Sequence, residues 1–94
     1  MKNEAVNILK NQIFAMSATF ERADDDDKPK YAQATAMLAR GFDRCGGKPA
    51  TGIKECLEKQ LQLLSKAYDG DVTADKAEEA AAAMVVLAEM LEYY

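Results

Sequence analysis

The sequence predicts an all-α protein, a single-domain antiparallel up-down four-helix bundle. Three observations carry this reading. Hydrophobic residues make up 49% of the 94 positions, and 17 of them are alanine, the residue with the best helix propensity. Apolar residues recur at spacings of three and four, the period of a helix with one buried face. The breakers, two Pro and five Gly, mostly cluster between the periodic segments and leave only short connectors. Ninety-four residues in one chain is ordinary length for one domain.

The first helix is predicted over 3–22, where Ala5, Leu9, Ile13, Met16 and Phe20 form the inner stripe. Phe14 falls on the opposite side, among Asn7, Lys10 and Glu21. The run Asp24-Asp25-Asp26-Asp27-Lys28-Pro29 then breaks the period. Proline suits the first turn of a new helix because its missing N–H has no partner there, and aspartates favour the positive end. The second helix is predicted over 29–45, with Tyr31, Ala34, Thr35, Leu38, Phe42 and Cys45 inward and Gln33, Met37, Arg40 and Arg44 outward. Gly41 interrupts its interior, a position where close packing or a bend is expected.

Gly46-Gly47-Lys48-Pro49 is the clearest stop signal, and Thr51 is the expected N-cap of a third helix over 52–68. Ile53, Leu57, Leu61, Leu64 and Tyr68 face inward, and Glu55, Lys59, Gln62 and Lys66 form a solvated ladder. Asp69-Gly70-Asp71 ends it, and Thr73 is the expected cap of the last helix, 74–93. Ala77, Ala80, Ala81, Met84, Leu87, Ala88 and Leu91 form one apolar stripe there. Val86, Met90 and Tyr93 form a second at i, i+4, i+7. One stripe closes a core, and the other needs a partner.

No residue pattern specifies a reaction. The chain has no histidine, which removes the commonest general base and the commonest transition-metal ligand. Two isolated cysteines offer no zinc spacing, so neither metal nor cofactor is expected. Asp24–Asp27 lacks the ligand spacing of a calcium loop, and a register starting at Asp69 places Ala80 where a glutamate is required. Gly41 to Pro49 resembles a phosphate-binding loop by eye. It fails on the count between glycines, on Pro49 in place of a hydroxyl residue, and on the helix preceding it.

Net charge is −4, with a basic middle (six basic and three acidic residues over 40–66) and an acidic tail (one basic, seven acidic over 69–94). That balance, with no outward-facing aromatic among the central cations, argues against nucleic acid. No segment is long and apolar enough for a membrane span. No export signal is visible at the N-terminus, so a cytoplasmic setting with reduced thiols is expected.

The leading functional expectation is a non-enzymatic protein–protein interaction module. It self-associates or docks on a larger partner, as small bacterial regulators and phage inhibitors do. The expected interface is Phe14, Val86, Met90 and Tyr93, on first and last helices taken as neighbours. The alternative is a small-anion or phosphate site at Arg44, Gly47, Lys48 and Thr51.

Overall fold

A computed structural model describes residues 2–68 and 74–94. It contains α1 (Lys2–Arg22), α2 (Lys28–Arg44), α3 (Thr51–Ala67) and α4 (Ala74–Leu91). Each bound lies within two residues of the sequence expectation. Asp69, Gly70, Asp71 and the Thr73 cap lie outside the described residues.

Successive helices reverse direction, as short connectors demand. Consequently α1 runs parallel to α3, with Phe14 beside Gly52 and Glu21 paired to Lys59. Likewise α2 runs parallel to α4, with Gln33 reaching the Glu79 carbonyl near one end and Tyr94 reaching that of Ala39 near the other.

The lateral order differs from the expected one. α1 packs on α2 and α3, and α4 packs on the same two helices. Among the described residues no Cα of α1 comes within 8 Å of one in α4. The first and last helices are therefore not neighbours. Short connectors fix direction but not which helix lies beside which. The side chains decide that, and α2 explains the outcome. Pro29, Ala32, Thr35, Ala36, Ala39 and Phe42 are its buried residues. Ala34 and Leu38, expected inside, are half-buried toward α1 instead. An arc this wide, and largely alanine, admits neighbours on several sides.

The core joins Ile13 and Phe20 of α1, Phe42 of α2, Ile53, Leu57 and Leu64 of α3, and Leu87 and Met90 of α4. One polar pair crosses its centre. Gln60 Nε2 donates to Thr35 Oγ1 at 3.1 Å, and Thr35 Oγ1 donates to the Tyr31 carbonyl at 2.9 Å. Gln60 Oε1 is buried with no hydrogen-bond partner among the described residues.

The helix ends are closed by specific contacts. Lys28 begins α2 yet finishes α1, its Nζ donating to the carbonyls of Ala23 at 2.6 Å and Phe20 at 3.3 Å. A cation there complements the negative end of the helix. The Tyr68 hydroxyl donates to the Asp25 carbonyl and ties the end of α3 to the aspartate turn. Burial raises the Tyr68 phenol, and the charges of Asp26, Asp25, Glu79 and Asp27 raise it further.

After α2, Gly46 takes a left-handed φ of 90°. Its N–H donates to the Asp43 carbonyl at 3.0 Å, and the Gly47 N–H to the Phe42 carbonyl at 2.8 Å. This pair of bonds is a Schellman closure. Ala50, not Thr51, occupies the N-cap of α3, and no side chain caps that end.

Candidate docking surfaces

On α4, Ala80, Ala83, Leu87 and Met90 are buried. Val86 is half-buried against the core, as are Met84 and Leu91 on the other flank. Ala81 and Ala88, expected inside, are exposed. The buried arc is rotated from the expected stripe toward Met90 by roughly 80° at 100° per residue. The cause is the lateral order. α4 lies between α2 and α3, so two neighbours cover a broad arc that takes in most of both stripes.

The four expected interface residues therefore do not form one patch. Met90 is 2% exposed and belongs to the core. Phe14 is 38% exposed, on the side of α1 that meets α3, where a Cβ on Gly52 would lie 3.2 Å from its ring. Tyr93 is 58% exposed at the rim. Its neighbour Tyr94, by contrast, is half-buried against α2.

Tyr93 and Met90 line a polar groove of about 230 Å³ with Arg40, Asp43, Arg44, Glu89 and Glu92. Arg44, from the expected anion site, thus shares a surface with Tyr93 from the expected protein interface. The other anion-site residues are placed differently. The Gly47 N–H is taken by the Phe42 carbonyl, while Lys48 and Thr51 are exposed.

A further surface escaped the sequence reading. Between α1 and α2 lies an apolar groove of about 390 Å³, lined by Leu9, Gln12, Met16, Ala34, Met37 and Leu38. Met37 is 68% exposed, the most of any large hydrophobic residue described. Ile8 is also exposed, one turn before Gln12 on α1. Leu9, Gln12 and Met16 form its α1 wall, and Ala34, Met37 and Leu38 its α2 wall.

The signal in the sequence was Met37 itself, set among Gln33, Arg40 and Arg44 on a face otherwise built for water. Beyond the apolar stretch the seam continues into a polar recess of about 290 Å³ lined by Thr19, Arg22, Ala23, Asp24, Asp27 and Tyr31.

The outer face of α2 is cationic, and its Arg40 and Arg44 line the groove toward α4. Lys30, Met37 and Arg44 follow one another at seven-residue spacing and so share a stripe, with Arg40 adjacent. Among the described residues no carboxylate pairs with Lys30, Arg40 or Arg44, whereas Lys59 pairs with Glu21 and Lys76 with Glu79. Lys30 instead places its ammonium 5.1 Å from the centre of the Tyr31 ring. Among the described residues no helix is long and apolar enough to cross a membrane. Comparisons with protein-family models, curated proteins and solved structures give no match.

Proposed function

We propose that this protein is a non-enzymatic interaction module that docks a protein partner through the groove between α1 and α2. The observation that carries the reading is the apolar seam of Leu9, Met16, Ala34, Met37 and Leu38, with Met37 projecting into solvent. An exposed, concave apolar surface is unfavourable in water and is what a partner covers. Two methionines in its lining suit it to a helical ligand, since their unbranched side chains adapt to the shape laid against them.

The two free cysteines, both half-buried, support a reducing compartment such as the cytoplasm. The role proposed for that docking is regulation or inhibition of a larger protein.

The test is affinity capture from native lysate with three baits: wild type, Met37→Glu and Tyr93→Glu. Loss of captured protein from Met37→Glu alone is the expected result. Capture undiminished by Met37→Glu sinks the groove as the docking face.

A further inference from the structure

We infer that the face formed by α2 and α4 docks a second copy of this chain, with α2 of each copy seated on α4 of the other. This face is distinct from the α1–α2 groove, and the inference goes beyond the docking reading above.

The pattern begins in the sequence. On α2, Lys30, Met37 and Arg44 recur every seven positions and form one exposed row, which drifts by only about 20° per repeat. On α4, Glu78 and Val85 recur in the same way, and Glu92 continues the row just past the end of the helix. The rows match in spacing. Each has an apolar residue at its centre, and their ends carry opposite charges. Arg40 adds to the cationic row and Glu89 to the acidic one.

The structure brings the two rows onto one face. α2 and α4 are parallel neighbours, and Arg40 and Arg44 share the groove between them with Glu89, Glu92 and Tyr93. Asp43, the one acid of α2, is turned about 60° further round toward α4 than Arg40. Met37, Tyr93 and Val85 are the three most exposed large hydrophobic residues described, and all belong to this pair of helices and its C-terminal turn. Among the described residues no ion pair closes the face. Lys30, Arg40, Arg44, Glu78, Glu89 and Glu92 all lack one, whereas Lys76 takes Glu79 and Lys59 takes Glu21.

The levels of the rows also match. Helical side chains lean toward the N-terminus of their helix. The bonds from Gln33 to the Glu79 carbonyl and from Tyr94 to the Ala39 carbonyl therefore set Lys30 level with Glu78, Met37 with Val85 and Arg44 with Glu92, to within a turn.

A two-fold axis parallel to α2 and α4 turns this face onto a copy of itself and keeps those levels. It seats Met37 on Val85 of the second copy and lays the cationic row along the acidic one, and the same contacts form twice. An axis across the helices stacks α2 on α2 and α4 on α4, which sets Lys30 against Arg44 and Glu78 against Glu92. A basic row beside an acidic row is thus complementary to itself in one orientation. A partner carrying a single sign of charge is repelled by half of the face.

Covering the exposed apolar side chains supplies the affinity, and the charges set the orientation. From Lys30 to Arg44 the face is about 21 Å long, and two helices make it about 20 Å wide. That is the small end of specific interfaces, so a dimer that dissociates at micromolar concentrations is expected. The rest of the α1–α2 groove lies on the other side of Met37 and stays open in the pair.

Sedimentation equilibrium of the full chain is the test. Wild type is expected to rise from the monomer mass toward twice that mass across the micromolar range. Its association is expected to weaken about tenfold as salt goes from about 0.05 M to about 0.5 M. Two variants, Arg40→Glu/Arg44→Glu and Glu89→Lys/Glu92→Lys, are checked for fold by circular dichroism. Each is expected to be a monomer alone, and the two are expected to dimerise when mixed, because the mixture restores opposite charges at both contacts. Val85→Glu changes an exposed residue and is expected to weaken the dimer at least tenfold.

A wild type that stays monomeric up to about 1 mM overturns the inference. So does a dimer that survives both charge variants or Val85→Glu, and so do folded charge variants that fail to associate when mixed. A mass that keeps growing past two copies overturns the closed two-fold pairing. If the charge variants do not fold, Val85→Glu decides alone.

Discussion

The hydroxyl of Tyr94 donates a 2.9 Å hydrogen bond to the carbonyl of Ala39, clamping the last residue of the chain onto α2. The Tyr94 ring stacks on Phe42 with centroids 6.3 Å apart and an interplanar angle of 27°. Tyr93, one residue earlier, is 58% exposed. Two adjacent tyrosines thus carry different duties, and their substitutions separate them. Tyr94→Ala is expected to destabilise by about 2 kcal/mol, through lost ring burial and a lost hydrogen bond. Tyr93→Ala is expected to stay within about 0.5 kcal/mol of wild type. Urea denaturation of the two variants measures both.

The same contact makes stability depend on alkaline pH. Burial, reinforced by the Asp43 charge, pushes the Tyr94 phenol up to about 12 from 10.0. Above pH 10 the unfolded chain gives up this proton before the folded chain does, so rising pH favours unfolding. The contribution is whole below pH 10 and is lost as pH climbs toward 12. Tyr68 shifts in the same direction and adds to the slope. Urea midpoints across this range are expected to fall less steeply in Tyr94→Phe than in wild type. Equal slopes would contradict the assignment.

Gly41 and Gly47 are expected to respond to alanine in opposite ways. A Cβ on Gly47 would lie 2.5 Å from Cζ of Phe42, whose ring is buried and has little room to yield. Gly47→Ala is expected to destabilise by roughly 1–3 kcal/mol, as overpacking does. A Cβ on Gly41 meets Leu9 at 3.7 Å, an ordinary contact, so the close packing anticipated there does not require glycine. Gly41→Ala is expected to stabilise by about 0.5–1 kcal/mol through helix propensity and a less free unfolded chain. Thermal melts of both variants check the signs.

Gln60 holds an unpartnered Oε1 inside the core. Replacing it with methionine, of similar length, removes that atom and leaves the Thr35 hydroxyl bonded to the Tyr31 carbonyl. Gln60→Met is expected to raise stability by about 1 kcal/mol, visible as a higher urea midpoint at unchanged slope. A lower midpoint would mean that the carboxamide serves the packing of α2 against α3.

Two methionine-to-glutamate variants discriminate core from surface. Met90→Glu places a carboxylate where the side chain is 2% exposed, and is expected to cost several kcal/mol or abolish folding. Met37→Glu, at 68% exposure, is expected to leave stability within about 0.5 kcal/mol. Guanidinium denaturation compares the two.

These residues also show how far the sequence reaches. The pattern on α3 reads correctly almost throughout: Ile53, Leu57 and Leu64 are buried, and Glu55, Lys59, Gln62 and Lys66 are exposed. That helix has one apolar arc and one charged arc, so periodicity leaves little choice of face. On α4 the outward side is rich in alanine, and Ala81 and Ala88 read as well inside as outside. Hydropathy alone did not locate the centre of its buried arc, and Met90 was misplaced for that reason. The groove at Met37 was half-legible. Met37 is apolar on an otherwise polar face, but the groove beside it depends on Leu9, Gln12 and Met16 of another helix.

By itself the sequence determined the four helices, their reversals and the glycine stop after α2, because periodicity, propensity and turn chemistry act over a few residues. Only the tertiary structure decided that α2 and α4 lie side by side while α1 and α4 do not. Connectors of this length permit either lateral order, and the choice falls to the packing of side chains far apart in the chain. With that choice Met90 and most of the second stripe became core, and the open apolar surface moved to the seam between α1 and α2.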